Sequence, residues 1–200
     1  KTDIFSEVPL HTLLQSLYQK QKGTMETRIS ILDYLGFDSP TKEQVDSLNA
    51  MSDFVKEDQS EDFLILCGAA GTGKSSITSA LVAYLNDRAV QYHIAAPTGR
   101  AARIIGRKTK CLNSTIHSLI YNINVDAESG EVTFVLKGNE NTERTIYIVD
   151  EASMITTVLN NNELSLFKAS NSLLSDLIKF VKSGNKANKI IMLGDRNQLP

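Results

Sequence analysis

Cysteine, long apolar runs and, over one stretch, acidic residues are what this 200-residue sequence lacks, and each absence excludes something. Its two cysteines, Cys67 and Cys111, have no metal-ligand spacing and read as small buried hydrophobes. No apolar run approaches the roughly 20 residues needed to span a bilayer, which argues against a membrane partner. The opening "KTDIFSEVPLHTLL" has neither the apolar block nor the small-residue cleavage site of a signal peptide, so an intracellular chain is expected. No internal repeat or low-complexity tract interrupts it. Acidic residues are missing from Ala89 to Val125, whereas Arg100, Arg103, Arg107, Lys108 and Lys110 all fall inside that window. A local basic face therefore survives in a chain of net charge −2, either as a solvated helix surface or as a nucleic-acid track.

What is present is the composition of a globular domain, 42% hydrophobic and 22% charged, in a chain long enough to bury a substantial core. Leu10, Leu13, Leu14 and Leu17 stand at helical spacing, a second helix is expected around Thr27 to Leu35, and a third follows Pro40. Thr41 followed three residues later by Gln44 fits a capping box at the start of that third helix. Beyond the charged linker "KEDQSED" the pattern changes to short apolar runs, "FLILCG", "YHIAAP", "TIYIVD" and "KIIMLGD", separated by helical segments. Runs apolar throughout predict strands buried on both faces, as in a parallel sheet covered by helices. Helices are expected at Lys74 to Asn86, Arg100 to Gly106, Thr115 to Tyr121 and Asn171 to Ser183, giving a doubly wound α/β fold. The alternating Glu131 to Leu136 is an extra strand, one arm of a hairpin inserted before the main strand.

"GAAGTGKS" matches G-x-x-x-x-G-K-[ST] between a buried strand and a helix. Glycines let the backbone N–H groups converge on a phosphate, and the following helix adds the positive end of its dipole. Gly68, Ala70, Gly71, Thr72 and Gly73 would form this cradle, with Ser76 in the first helical turn. Lys74 would reach the β- and γ-phosphates of ATP, and Ser75 would ligate Mg²⁺. Downstream, "TIYIVDEASM" ends a strand in Asp150 and Glu151 at the edge where open α/β sheets bind ligands. Asp150 suits the metal, a hard cation that takes oxygen ligands, and Glu151 suits activation of the attacking water.

Five segments in order, "GAAGTGKS", "APTGRAA", "STIHSLI", "IVDEASM" and "LGDRNQLP", resemble the motifs of superfamily 1B DNA helicases. The set is similar to the first RecA-like domain of the RecD branch, with its Pif-type and phage Dda members, over Thr41 to Pro200. The resemblance implies a P-loop NTPase fold and 5′-to-3′ translocation on single-stranded DNA driven by ATP. It gives Gln44 the adenine edge, beside its capping role, and Gln198 the sensing of the γ-phosphate. It places Pro97, Thr98, Gly99, Arg100 or Arg103, Thr115 and His117 on the single strand, His117 having a core histidine as its alternative. Such motors need a second RecA-like domain whose arginines stabilise the transferred phosphoryl group, worth about 10³ to 10⁵ in rate. None of that domain's motifs occurs before Pro200. The expectation is therefore a fragment, a helical segment over 1–40 and a motor domain over 41–200, that binds ATP and hydrolyses it poorly. A P-loop ATPase acting on RNA or protein, and a nucleotide-regulated DNA-binding module, are the alternatives.

Overall fold

The computed structural model describes residues 30–56, 58–127, 130, 132–155, 167–168 and 172–195. The leucine-spaced helix at Leu10 to Leu17, and Gln198, lie outside the described residues. Of the helix expected around Thr27 to Leu35, the described part is a 3₁₀ helix, Ile31–Tyr34, capped by Ser30. Its Ile31 is buried with Leu48, Met51 and Leu81, so this segment packs into the core of the α/β domain.

The third expected helix is α1, Lys42–Phe54, and its capping box is complete. Strand β1, Phe63–Cys67, leads into α2, Lys74–Asp87. Strand β2, Gln91–Ala96, leads into α3, Gly99–Thr109. A three-residue strand β3, Asn113–Thr115, precedes the short α4, Ile116–Ile120. The antiparallel pair β4, Tyr121–Val125, and β5, Val132–Leu136, comes next, then β6, Thr145–Val149. The two-residue β7, Phe167–Lys168, helix α5, Leu173–Gly184, and β8, Lys189–Gly194, complete the described elements.

The main sheet is parallel, in the order β1-β8-β6-β2-β3. Helices α1, α2 and α3 cover one face through Leu48, Leu81 and Ile105. On the other, α4 and α5 bring Ile116, Ile120, Leu177 and Val181 against Tyr147 and Ile190. Helices on both faces of a parallel sheet make this the RecA-like, doubly wound α/β fold.

Burial on both faces holds for β6 and β8, where every residue is buried, and fails for β1. The cause is position. Strand β1 stands at one end of the sheet, and α5 packs on β6 and β8 without reaching it. Leu64 and Leu66 therefore meet the first helical layer, while Phe63, Ile65 and Cys67 face solvent, Ile65 with 64% of its surface exposed. Cys67 is thus not a buried hydrophobe; Cys111 is half-buried, its sulfur 3.0 Å from the Tyr92 hydroxyl.

The hairpin also differs from expectation. Of the strand read at Glu131 to Leu136, the described part, Val132–Leu136, pairs backwards with Tyr121–Val125, and β7 adds in parallel to it. The Asn-rich stretch after β5 ties down β6: Asn139 donates to the Tyr147 hydroxyl at 2.8 Å, Asn141 to Thr145 Oγ1 at 2.8 Å. At the far end of the sheet, the buried Lys189 ammonium donates to the carbonyls of Phe54, Lys56 and Gln59, closing the C-terminus of α1. A cation there offsets the negative end of the helix dipole.

Candidate functional site

The parallel register aligns the C-terminal ends of the main strands, pairing Cys67 with Gly194, Val149 with Met192, Ala95 with Val149 and Ala96 with Thr115. The chain leaves β1 for the glycine loop, β6 for Asp150, and β2 for Thr98 along this one edge. Folding into a parallel sheet is therefore sufficient to bring the distant motifs together.

In the glycine loop, the Gly68 N–H donates to Gly194 O at 3.1 Å, anchoring the loop to β8. Gly71 and Gly73 take left-handed backbones, φ +81° and +88°, which glycine alone adopts without strain. At Gly73 a Cβ would also lie 2.6 Å from Gln44 Nε2, so the position excludes a side chain twice over. Thr72 Oγ1 donates to Ala69 O at 2.9 Å. The Lys74 ammonium curls into the loop, donating to Gly68 O at 2.5 Å and Ala69 O at 2.9 Å, with Asp195 Oδ2 at 3.9 Å.

Gln44 sits against this loop. Its Oε1 accepts from the Thr41 N–H at 2.9 Å, completing the capping box, and its Nε2 donates to Thr72 O at 2.9 Å. An amide carries two donors and two lone pairs, so one of each remains beyond these bonds. Capping and ligand reading are compatible in one side chain. A cavity of about 450 Å³ opens here, lined by Gln44, Thr41, Leu66, Lys74 and Leu193.

On the other side of Lys74 a second cavity, about 330 Å³, is lined by Ser75, Asp150, Glu151 and Asp195. Ala70, Gly71, Gly73 and Ser76 form its loop wall. The Asp150 N–H extends the sheet ladder to Ala95 O at 3.0 Å. Burial raises the Asp150 carboxyl above the ordinary aspartate value, and the Glu151 N–H with the charges of Lys74 and Lys108 works against that rise. Glu151 follows in a left-handed backbone, φ +53°, which turns the chain abruptly into a short 3₁₀ helix, Ala152–Met154.

Two residues here went unassigned from sequence. Asp195, 5% exposed, follows β8 beside the loop, and its signal was the same strand-end logic that identified Asp150. Lys108 reaches in from the last turn of α3 and donates to Ser75 Oγ at 2.8 Å. No local signal separates it from the neighbouring Arg107 and Lys110.

The residues assigned to a single strand gather at the ends of β2 and β3. Pro97 and Thr98 close β2, and Thr98 Oγ1 caps α3 by accepting from the Ala101 N–H at 3.2 Å. Gly99 approaches Thr115, the Cγ2 of which lies 4.0 Å from where a glycine Cβ would stand. Thr115 caps α4, its Oγ1 accepting from the Ser118 N–H at 3.1 Å. Arg100 and Arg103 are exposed, and Arg103 Nε donates to Gly99 O at 3.3 Å. His117 is exposed and no core histidine, with the Tyr121 and Phe134 rings 5.9 and 5.7 Å away. Partial burial against those rings lowers its pKa.

Among the described residues no cluster of three or more His, Cys, Asp or Glu side chains is placed to hold a metal unaided. The oxygens of Ser75, Asp150 and Asp195 around a phosphate cradle fit Mg²⁺ nonetheless, because that ion keeps several waters and takes ligands from substrate phosphates.

The sequence profile of the AAA domain family matches residues 52–200. The chain belongs to that family. The ATP-dependent RecD2 DNA helicase of Deinococcus radiodurans is 29% identical over 137 residues, covering 68% of this chain. The chain spans only 16% of the length of that relative. Among solved structures, the HK97 bacteriophage large terminase aligns with a TM-score of 0.49 at 12% identity, covering 82% of this chain and 37% of that one. The large terminase ATPase domain of Thermus phage P74-26 aligns at 0.41 and 16% identity, covering 81% and 67%.

Proposed function

We propose that this chain is the ATP-hydrolysing motor domain of a DNA helicase that moves along single-stranded DNA, 5′ to 3′. One observation carries the nucleotide part: two separate segments bring Lys74, Ser75, Asp150 and Glu151 to one cavity, with a second cavity beside Gln44. The base would occupy the Gln44 side, where the spare amide donor and acceptor match the adenine edge. The loop N–H groups and the start of α2 would hold the β-phosphate. Lys74 would exchange the carbonyls of Gly68 and Ala69 for phosphate oxygens, a stronger charge-assisted pairing. Ser75 and Asp150 would hold Mg²⁺, which when bound offsets phosphate charge. Glu151 would orient the attacking water and accept its proton.

Among the described residues no arginine lines either cavity. An arginine for the charge developing on the transferred group would then come from a second RecA-like domain of a longer protein. By itself the 200-residue chain would bind ATP and turn it over slowly. Pro97 to Arg103, Thr115 and His117 would hold the strand at the β2–β3 end of the same sheet edge, phosphates on the caps and arginines. The family membership and the RecD2 likeness support this reading.

The test is ATP binding and turnover with and without single-stranded DNA, in the chain and in Lys74→Ala. Binding lost in the variant and turnover raised by DNA are expected. Turnover that survives Lys74→Ala, or fast turnover by this chain, would refute the reading.

A further inference from the structure

Among the described residues lining the second cavity, Lys108 is the cation that the hydrolysis scheme leaves without a role. It comes from α3, yet its ammonium crosses to α2 and donates to Ser75 Oγ at 2.8 Å. The α3 backbone is tied to α2 at the same point, with Ser79 Oγ 3.5 Å from Lys108 O. An exposed lysine ordinarily leaves its long stem free in water, since pinning it costs rotamer entropy. Here the ammonium instead joins a cavity that already holds Lys74 and the three carboxylates of Asp150, Glu151 and Asp195.

Resting on the ATP reading above, we propose that Lys108 is a second phosphate-binding lysine of this site, specific for the terminal phosphate of a nucleoside triphosphate. The reasoning is electrostatic. Ser75 Oγ would be a ligand of the divalent cation, and an ammonium donating to that same oxygen would be repelled by its double positive charge. The two cations would repel and compete for one hydroxyl. With Ser75 committed to the metal, Lys108 would be released to pair with the γ-phosphate oxygens, the group that carries the added charge of a triphosphate. A nucleoside diphosphate offers no such acceptor. Lys108 therefore distinguishes the two nucleotides, and it does so with a charge carried by this chain's own helix.

The experiment measures equilibrium binding of a fluorescent, non-hydrolysable ATP analogue and of fluorescent ADP, with Mg²⁺ and with chelator, to the 200-residue chain. The variants are Lys108→Ala, Lys108→Gln and Lys108→Arg, checked for unchanged melting, with Lys74→Ala as control. With Mg²⁺, Lys108→Ala and Lys108→Gln should weaken the triphosphate about tenfold and ADP less than twofold, and Lys108→Arg should retain the preference. With chelator the difference should shrink, because Lys108 then keeps Ser75. Equal weakening of both nucleotides, or no change in either, overturns the proposal. If Lys74→Ala abolishes binding while Lys108→Ala changes nothing, only the Lys108 assignment fails. If the parent chain binds neither nucleotide, the ATP reading fails, and this inference with it.

Discussion

Glu151 holds a left-handed backbone, φ +53° and ψ 36°, that costs an L-residue about 1–2 kcal/mol. Strain of this kind persists where the surrounding structure imposes it, often at functional sites. Here it holds Glu151, two residues after β6, at the cavity shared with Lys74. Glu151→Gly should leave stability within about 1 kcal/mol of the parent, since relieved strain and added unfolded-state freedom oppose each other. The same change should abolish ATP turnover while nucleotide binding persists. Melting and turnover together check it, and a large loss of stability would assign Glu151 a structural role instead. Gln44 shows how two readings of one residue can both be satisfied. The spacing from Thr41 predicts the capping box, which forms, and the same amide reaches Thr72 O. Lys108 was illegible for the opposite reason. A lysine on a basic helix looks alike whether it faces water or a phosphate, and only the packing of α3 on α2 tells them apart.

At the level of elements, the C-terminus of α1 depends on cations contributed from β8 and the approach to β6. Lys189 donates to three carbonyls, and Arg144 donates to Val55 O at 2.6 Å and Lys56 O at 3.1 Å. Lys189→Met keeps most of the apolar stem and removes those donors from a buried position. It should cost about 2–3 kcal/mol, because buried acceptors are left unpaired. Urea unfolding measures this, and an unchanged midpoint would show that water replaces the ammonium freely. Helix α3 sits equally close to β3: a Cβ at Gly106 would fall 1.7 Å from Asn113 Nδ2. Gly106→Ala must expel that amide from its bond to Cys111 O, a loss of about 1 kcal/mol that helix propensity largely offsets, so the effect falls on position and not on stability. Because Thr98 caps α3, the displacement should also weaken single-strand binding, measurable by fluorescence anisotropy. The four main strands were legible as unbroken apolar runs, and α2 and α3 lie close to their expected spans. Strand β3 was not legible, since "NST" is short and polar, and it pairs only because α3 returns the chain beside β2.

The molecule as a whole carries a pH dependence written in its histidines. His93 stacks on Tyr147 with ring centroids 5.7 Å apart, His117 lies beside Tyr121 and Phe134, and partial burial lowers both pKa values. A lowered folded-state pKa means that the unfolded chain binds the proton more tightly. Their contribution is therefore intact above the ordinary histidine value of about 6.5 and is lost as the pH falls through it toward the folded values. Melting followed from pH 8 to 5 should decline, and a His93→Asn, His117→Asn double variant should decline less. An equally steep fall in that variant would move the cause to the carboxylates. The parallel sheet with helices on both faces was readable from periodicity alone, but the sequence of β1 did not reveal its place in it. "FLILC" is as apolar as the buried strands, and apolarity says nothing about which strand stands last in the order. That place has a colloidal consequence. Among the described residues no strand pairs with the outer side of β1, so a row of backbone donors and acceptors lies open beside Ile65 and Phe63. Open, apolar edges invite edge-to-edge pairing between molecules, which a single lysine commonly suppresses. At high concentration the limit on this chain should thus be set by self-association along one strand. Ile65→Lys should raise the concentration at which light scattering still reports monomer, without altering the glycine loop one turn of chain away.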